Sequence, residues 1–194
     1  MITTTVKTAV TSDEERVIGA LVLAFVSDPI ARWAFPDPHQ YLFHFPLFVR
    51  AFGGKAFEHQ SAYYAEDCAG AALWLPPSVQ PDEKILVPIV ERAVKADRLP
   101  RVFELLEEMG RFHPSERHWY LPLIGVDPAK HRNGYGSTLL RHALQRVDQE
   151  HLPAYLESSN PANISLYQRH GFEVKGTIKV ETAPPMFPMY REAR

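Results

Sequence analysis

The sequence predicts an α/β domain built on a mixed sheet. The second half of the chain reads strand, helix, strand, helix, strand, strand. The first half supplies a strand–helix start and a hairpin. Seventeen prolines against ten glycines, grouped as Pro36/Pro38, Pro76/Pro77 and Pro184/Pro185, punctuate short elements rather than form a linker.

The elements follow in order. Thr3 to Val10 reads as a first strand. Ser12-Asp13-Glu14-Glu15 has the form of a capping box, with Ser12 as N-cap and Glu15 reaching back. Val17, Ile18, Leu21, Val22 and Phe25 follow at helical spacing, and Asp28-Pro29 is expected to end that helix. Trp33 to Phe57 is dense in aromatics and partly helical. Ser61–Ala65 and Ala71–Leu75 flank the polar turn Glu66 to Gly70, a hairpin signature. A helical region from about Glu83 to Met109 is expected to break at Pro88 and Pro100. His118–Val126 is a strand, and Leu139, Leu140, Ala143, Leu144 and Val147 mark one face of a helix. Ala154–Ser158 is a strand, Asn160-Pro161 opens a helix that closes at Gly171, and Phe172–Val180 and Met186–Arg191 are the final strands.

At 194 residues the chain suits a single domain spanning 1–194. Hydrophobic residues at 45% and charged residues at 23% exclude general disorder. A net charge of −2, with both signs mixed along the chain, argues against a nucleic-acid partner. Cys68 is the only cysteine, so an internal disulfide or a cysteine-rich zinc site is excluded. The nine histidines lack a compact ligand set such as H-E-x-x-H, whether at His113 and His118 or at His142 and His151, so no metal is expected. Met1–Val10 does not read as a secretory signal, and the apolar run Val17–Val26 is shorter than a membrane span. The expectation is a cytoplasmic protein without membrane contact, monomeric or homodimeric.

Chemistry concentrates in two segments. Lys130-His131-Arg132-Asn133-Gly134-Tyr135-Gly136-Ser137 lies between a strand and an amphipathic helix. A helix N-terminus offers unpaired N–H groups, glycines admit close backbone approach, and Lys130 and Arg132 add charge, so the turn reads as a pyrophosphate cradle. Glycine used for βα-turn geometry explains the same residues. Leu139 stands where a dinucleotide fingerprint needs its third glycine, and Gly136-Ser137-Thr138 is not a P-loop ending. Pro122 and Gly125, in the strand feeding the cradle, mark an edge, a bulge or failed pairing. Where pairing fails, backbone groups are free for an extended amide-containing ligand. The second segment runs from Asn160 to Phe172. Asn160 suits an N-cap, Pro161 the first helical position and Gly171 the C-terminal cap. Tyr167 on that helix reads equally as a core tyrosine.

Together these segments resemble the GCN5-related N-acetyltransferase (GNAT) family. Its cofactor motif, Gln/Arg-x-x-Gly-x-Gly/Ala, maps to His131 through Gly136, with histidine as the departure. Its later motif, an asparagine, a tyrosine seven residues on and then Gly-Phe, maps to Asn160, Tyr167 and Gly171-Phe172. Leu123 to Pro128 is similar to the family's entry to the loop. The resemblance spans Trp119 to Val174 and places a cofactor-binding core at about 118–174. It implies a mostly antiparallel central sheet of about six to seven strands flanked by helices on both faces, with a splayed strand pair holding the cofactor.

The resemblance also implies direct acetyl transfer from acetyl-CoA, the cosubstrate, to the primary amine of a small molecule. The pantetheine arm would pair with backbone near Ile124, Gly125 and Val126. The pyrophosphate would sit on Arg132, Asn133, Gly134, Tyr135, Gly136 and Ser137, beside His131, with Asn160 and Tyr167 completing the cofactor site. Tyr167 would protonate the leaving thiolate. Glu157 is a candidate base, with His118 and Tyr120 as others; a solvated strand end or a salt bridge also explains Glu157. Nothing marks Cys68 as an activated nucleophile. The aromatics from Trp33 to Phe57, with Trp74, Phe112 and Phe187, are candidates for an apolar acceptor pocket or for plain core. A non-catalytic acyl-CoA-binding module and a nucleotide-binding α/β protein are the alternatives.

Overall fold

A computed structural model describes residues 4–194 of the chain. Strand β1 (Val6–Thr8) leads into α1 (Glu14–Ala24), α2 (Pro29–Ala34), α3 (Pro38–Gly53) and α4 (Lys55–Glu58). The hairpin β2 (Ala62–Ala65) and β3 (Gly70–Leu75) follows, then α5 (Glu83–Ala93) and α6 (Leu99–Phe112). The second half is β4 (Trp119–Val126), α7 (Tyr135–Gln149), β5 (Ala154–Ser158), α8 (Ile164–Arg169), β6 (Glu173–Val174) and β7 (Phe187–Arg191).

The strands form one seven-stranded sheet in the order β1-β2-β3-β4-β5-β7-β6. Only β4 and β5 run parallel; every other neighbouring pair is antiparallel. Period-two alternation sends side chains to two separate cores. Leu73, Leu75 and Tyr155 pack with α1, α3 and α5 on one face. Trp74, Leu121 and Leu156 pack on the other face with Leu139, Leu140 and Val147 of α7 and Tyr167 of α8. The sheet is therefore covered by helices on both sides, as expected.

Several local expectations are corrected. Thr3, the start of the expected first strand, lies outside the described residues, and the strand itself is the short Val6–Thr8. The capping box at Ser12 does not form. Asp13 instead accepts a hydrogen bond from Val10 N (3.1 Å) across a 3-10 turn, while Glu15 reaches Arg50 of α3 at 2.7 Å. Asp28-Pro29 starts a helix rather than ending one: the Asp28 carboxylate accepts from Ala31 N (3.0 Å), and Pro29 fills the first turn of α2. Pro88 lies inside α5 without breaking it. One lost hydrogen bond is outweighed by the buried face of Leu86, Val90 and Ala93. The break falls at residues 94–98, and Pro100 sits in the first turn of α6, where no N–H is needed. The expected strand Phe172–Val180 shrinks to Glu173–Val174 and a single bridge, Ile178 to Met186. At Gly176 the chain passes so close to Phe112 that a Cβ would lie 2.6 Å from its ring. Ile178 and Val180 then pack with Leu105 of α6 in a small third core.

Arg191, buried on β7, ties these layers together. It holds Asp148 of α7 through two hydrogen bonds (2.7 and 3.0 Å) and donates through Nε to the His170 carbonyl after α8 (3.0 Å).

Candidate active site

The site begins where β4 and β5 part. Their pairing is confined to Trp119 with Ala154 and Tyr120 with Tyr155. On its other edge β4 pairs with β3, and there the register steps from Leu73–Leu123 to Leu75–Tyr120, which places one extra residue on β4 across Leu121–Pro122. This is a bulge, and it sits where a proline without a ladder donor is tolerated. Beyond it, Asp127 N donates to Ala69 O (2.9 Å). Bonded and non-bonded pairs alternate in an antiparallel ladder, so Gly125 and Leu123 also face β3. Ile124 and Val126 therefore turn their main-chain N–H and C=O groups toward the gap beside β5. Gly125 serves a different purpose. A Cβ there would lie 2.4 Å from Ala24 Cβ, so glycine lets the end of α1 close onto β4.

The gap opens onto the Gly134 turn. Gly134 caps α7 with φ +81°, a conformation glycine adopts without strain. Thr138 N donates to Gly134 O (3.0 Å), and the N–H groups of Tyr135, Gly136 and Ser137 precede this first intrahelical donor. They point out of the helix N-terminus with the positive end of its dipole. Gly136 lies under Leu166 of α8, 3.3 Å from where its Cβ would be. Arg132 and Lys130 are exposed beside the turn. His131 is not aimed outward: its Nε2 lies 3.0 Å from the Val126 carbonyl. Asn133 turns its amide back to the Lys130 carbonyl (3.1 Å) and does not line the cavity. Ser137 Oγ is 2.8 Å from His170 Nε2, and the Asn160 side chain caps its turn by accepting from Ala162 N (3.0 Å).

A single cavity of about 810 Å³ joins the Gly134 turn, the gap at Ile124–Val126, Tyr167 and Glu157. Its inner end is walled by Trp33, Phe35, Phe45, Phe48, Phe52 and Met109. Much of the aromatic segment is thus core and cavity wall at once, since Phe35 and Phe45 are buried in the main core. Trp74, Phe112 and Phe187 do not line the cavity, and Trp74 belongs to the core on the opposite face. The cavity's charges are segregated. Lys130, Arg132 and Arg169 belong to the turn and to α8, whereas its carboxylates are Asp28 and Glu157.

Glu157 is neither solvated nor at a loose strand end. Its side chain is 3% exposed, and Oε2 accepts from the Tyr120 hydroxyl at 2.8 Å. Oε1 is buried without a hydrogen-bond partner among the described residues, as is the Tyr155 hydroxyl. Tyr120 and His118, the other base candidates, stand behind Glu157 rather than in the cavity. Burial pushes the Tyr120 hydroxyl far above its usual range, with the Glu157 charge adding to it. Tyr167 reaches the cavity from α8. Burial, and the charge of Asp28, push its hydroxyl well above the ordinary tyrosine range, so it keeps its proton at neutral pH. Burial also raises the Cys68 thiol.

Two cavity residues escape sequence reading. Asp28 accepts from Ser159 Oγ at 2.6 Å, joining the α1–α2 connection to the end of β5. Their pairing across 131 positions leaves no trace in local pattern. The structure therefore brings together every expected cofactor and catalytic position except Asn133 and adds Asp28 and Ser159.

Residues 101–172 match the model of the Acetyltransferase (GNAT) family. An uncharacterised N-acetyltransferase of Schizosaccharomyces pombe is 24% identical over 193 residues, covering 86% of this chain and 73% of that protein. The crystal structure described as histone acetyltransferase HPA2 and related acetyltransferase from Corynebacterium glutamicum has a TM-score of 0.71 and 27% identity, over 100% of this chain and 98% of that one. Arylalkylamine N-acetyltransferase 2 from Aedes aegypti has a TM-score of 0.69 over 98% and 99% of the two chains, and at 13% identity it speaks for the fold alone.

Proposed function

We propose that the chain, whose residues 101–172 match the Acetyltransferase (GNAT) family, moves an acetyl group from acetyl-CoA to the primary amine of a small molecule by direct attack. The observation that carries this reading is the continuous cavity. It places a cationic, amide-lined turn at one end, an apolar chamber at the other, and Tyr167 and Glu157 between them.

The residues suit the cosubstrate. The free N–H groups at the start of α7, with Arg132 and Lys130, would take the pyrophosphate. The outward-facing backbone of Ile124 and Val126 would pair with the amides of the pantetheine arm, which displaces His131 from the Val126 carbonyl. A backbone N–H in this stretch would polarise the thioester carbonyl and hold the oxyanion. Glu157 takes a proton from the acceptor ammonium, and the neutral amine attacks. Carbon–sulfur cleavage then sends the electron pair to sulfur, and the retained Tyr167 proton is donated to that thiolate. The chamber walls favour an acceptor with an apolar body.

Titration calorimetry with acetyl-CoA, ATP and NAD, followed by an amine panel read by thiol release, tests this. Acetyl-CoA should bind and the two nucleotides should not, and amines with aromatic or branched apolar bodies should turn over fastest. Absence of acetyl-CoA binding sinks the proposal. Binding without thiol release from any amine would favour a binding module instead.

A further inference from the structure

Resting on that reading, we propose that His113, at the end of α6, is the residue to which Glu157 passes the acceptor's proton, and that His118 holds it in the tautomer this requires. His113 lies outside the cavity, behind Glu157, with Nδ1 3.9 Å from Glu157 Oε1. Its other nitrogen, Nε2, is 3.0 Å from Nε2 of His118, whose Nδ1 is 2.7 Å from the Glu116 carbonyl.

Donor logic settles where the protons are. A carbonyl only accepts, so His118 carries its proton on Nδ1, and neutral His118 presents a lone pair at Nε2. Burial lowers His118 relative to an ordinary histidine, which keeps it neutral. His113 Nε2 must then be the N–H that donates to it. In neutral His113 the remaining nitrogen, Nδ1, then carries the lone pair, and it faces the Glu157 oxygen that lacks a hydrogen-bond partner among the described residues. The chain of bonds thus ends in a base directed at the base.

The step balances. The substrate ammonium loses one proton to Glu157, which hands it to His113 Nδ1. The second nitrogen proton, lost as the amide forms, replaces the one that Tyr167 gives to the thiolate, so Tyr167 ends protonated as it began. The imidazolium, beside the regenerated Glu157 carboxylate and 19% exposed, releases its proton to solvent. The groups that face His113 from the surrounding elements are His118 just before β4, Tyr120 of β4, Tyr155 and Glu157 of β5, and, through His118, Glu116 of the same loop, which in turn accepts from Tyr190 of β7.

The test compares wild type with His113→Gln and His113→Ala on one amine, so that amine ionisation is common to all. Glutamine keeps a donor toward His118 but carries no proton onward. Its kcat should fall at least tenfold at neutral pH, with acetyl-CoA affinity unchanged. The wild type should show an inflection of kcat/KM between about pH 5 and 8, and the variant should lack it. In His113→Ala, added imidazoles should restore turnover with rates that rise with the basicity of the imidazole, a trend that refilling a space does not produce. Wild-type kcat in His113→Gln overturns the relay, as does rescue indifferent to basicity. So does a wild-type profile that is flat across that range, which holds even if a variant fails to fold. A wild type that releases no thiol from any amine sinks the proposed function itself, and the relay with it.

Discussion

Tyr167 and Glu157 face the same cavity, and the proposed reaction asks opposite protonation states of them. Tyr167 is 6% exposed among apolar neighbours of α8 and the sheet, where burial and the charge of Asp28 keep the hydroxyl protonated. Glu157 holds one hydrogen bond, from Tyr120, and leaves one oxygen toward His113. Under the proposed reaction, these settings suit Tyr167 to donate to a thiolate and Glu157 to accept an ammonium proton. Tyr167→Phe removes only the hydroxyl and keeps the packed ring. It should lower kcat about 100-fold, the range of general acid–base contributions, and leave acetyl-CoA affinity unchanged by calorimetry. An unchanged kcat would return Tyr167 to the role of a core tyrosine. Both residues were legible as chemistry-bearing positions, Tyr167 by its spacing from Asn160 and Glu157 as the strand end before it. The burial that keeps Tyr167 protonated was not, because it is made by residues distant in sequence.

At the scale of elements, β4 organises the site. Its bulge at Leu121–Pro122 ends pairing with β5, and its alternation turns Ile124 and Val126 to the gap. Gly125 lets the α1 end seat against the same stretch. The two conspicuous glycines near the cofactor path therefore act differently: Gly125 removes a side chain from an interface, and Gly134 supplies a left-handed φ with no neighbour near its missing Cβ. Gly125→Ala should shift α1 and lower unfolding stability by about 1–3 kcal/mol in a urea titration, the usual cost of overpacking. An unchanged midpoint would mean that α1 yields freely at Ala24. Pro122 announced the bulge, because a strand proline has few permitted places. Asp28 misled, because Asp-Pro fits a helix stop and a helix start equally, and only the capping bond to Ala31 separates them.

Across the whole molecule, the parting of β4 and β5 opens a cavity through the sheet that connects its two layers. α1, α2, α3 and α6 contribute the apolar part of its wall, and α7 and α8 the part at the Gly134 turn. A ligand that bridges both layers should stabilise the fold as a unit. At acetyl-CoA concentrations 100-fold above its Kd, stabilisation should be about 2.7 kcal/mol. For a chain of this size that raises the thermal midpoint by roughly 5–11 °C. Differential scanning calorimetry checks it, and a midpoint indifferent to acetyl-CoA would contradict the assignment of the cavity.

The amino-acid sequence by itself determined the α/β class, the hairpin, the two capped turns at Gly134 and Asn160, and the spacing that carries the family resemblance. These are local properties, set by periodicity, by φ preferences of glycine and proline, and by short-range capping. The tertiary structure alone decided that the aromatic segment both fills a core and walls a chamber, and that Asp28 meets Ser159. It also decided that His113 and His118 stand behind Glu157. Each of those contacts joins residues on different elements, and their protonation depends on burial and on neighbours that only packing assembles.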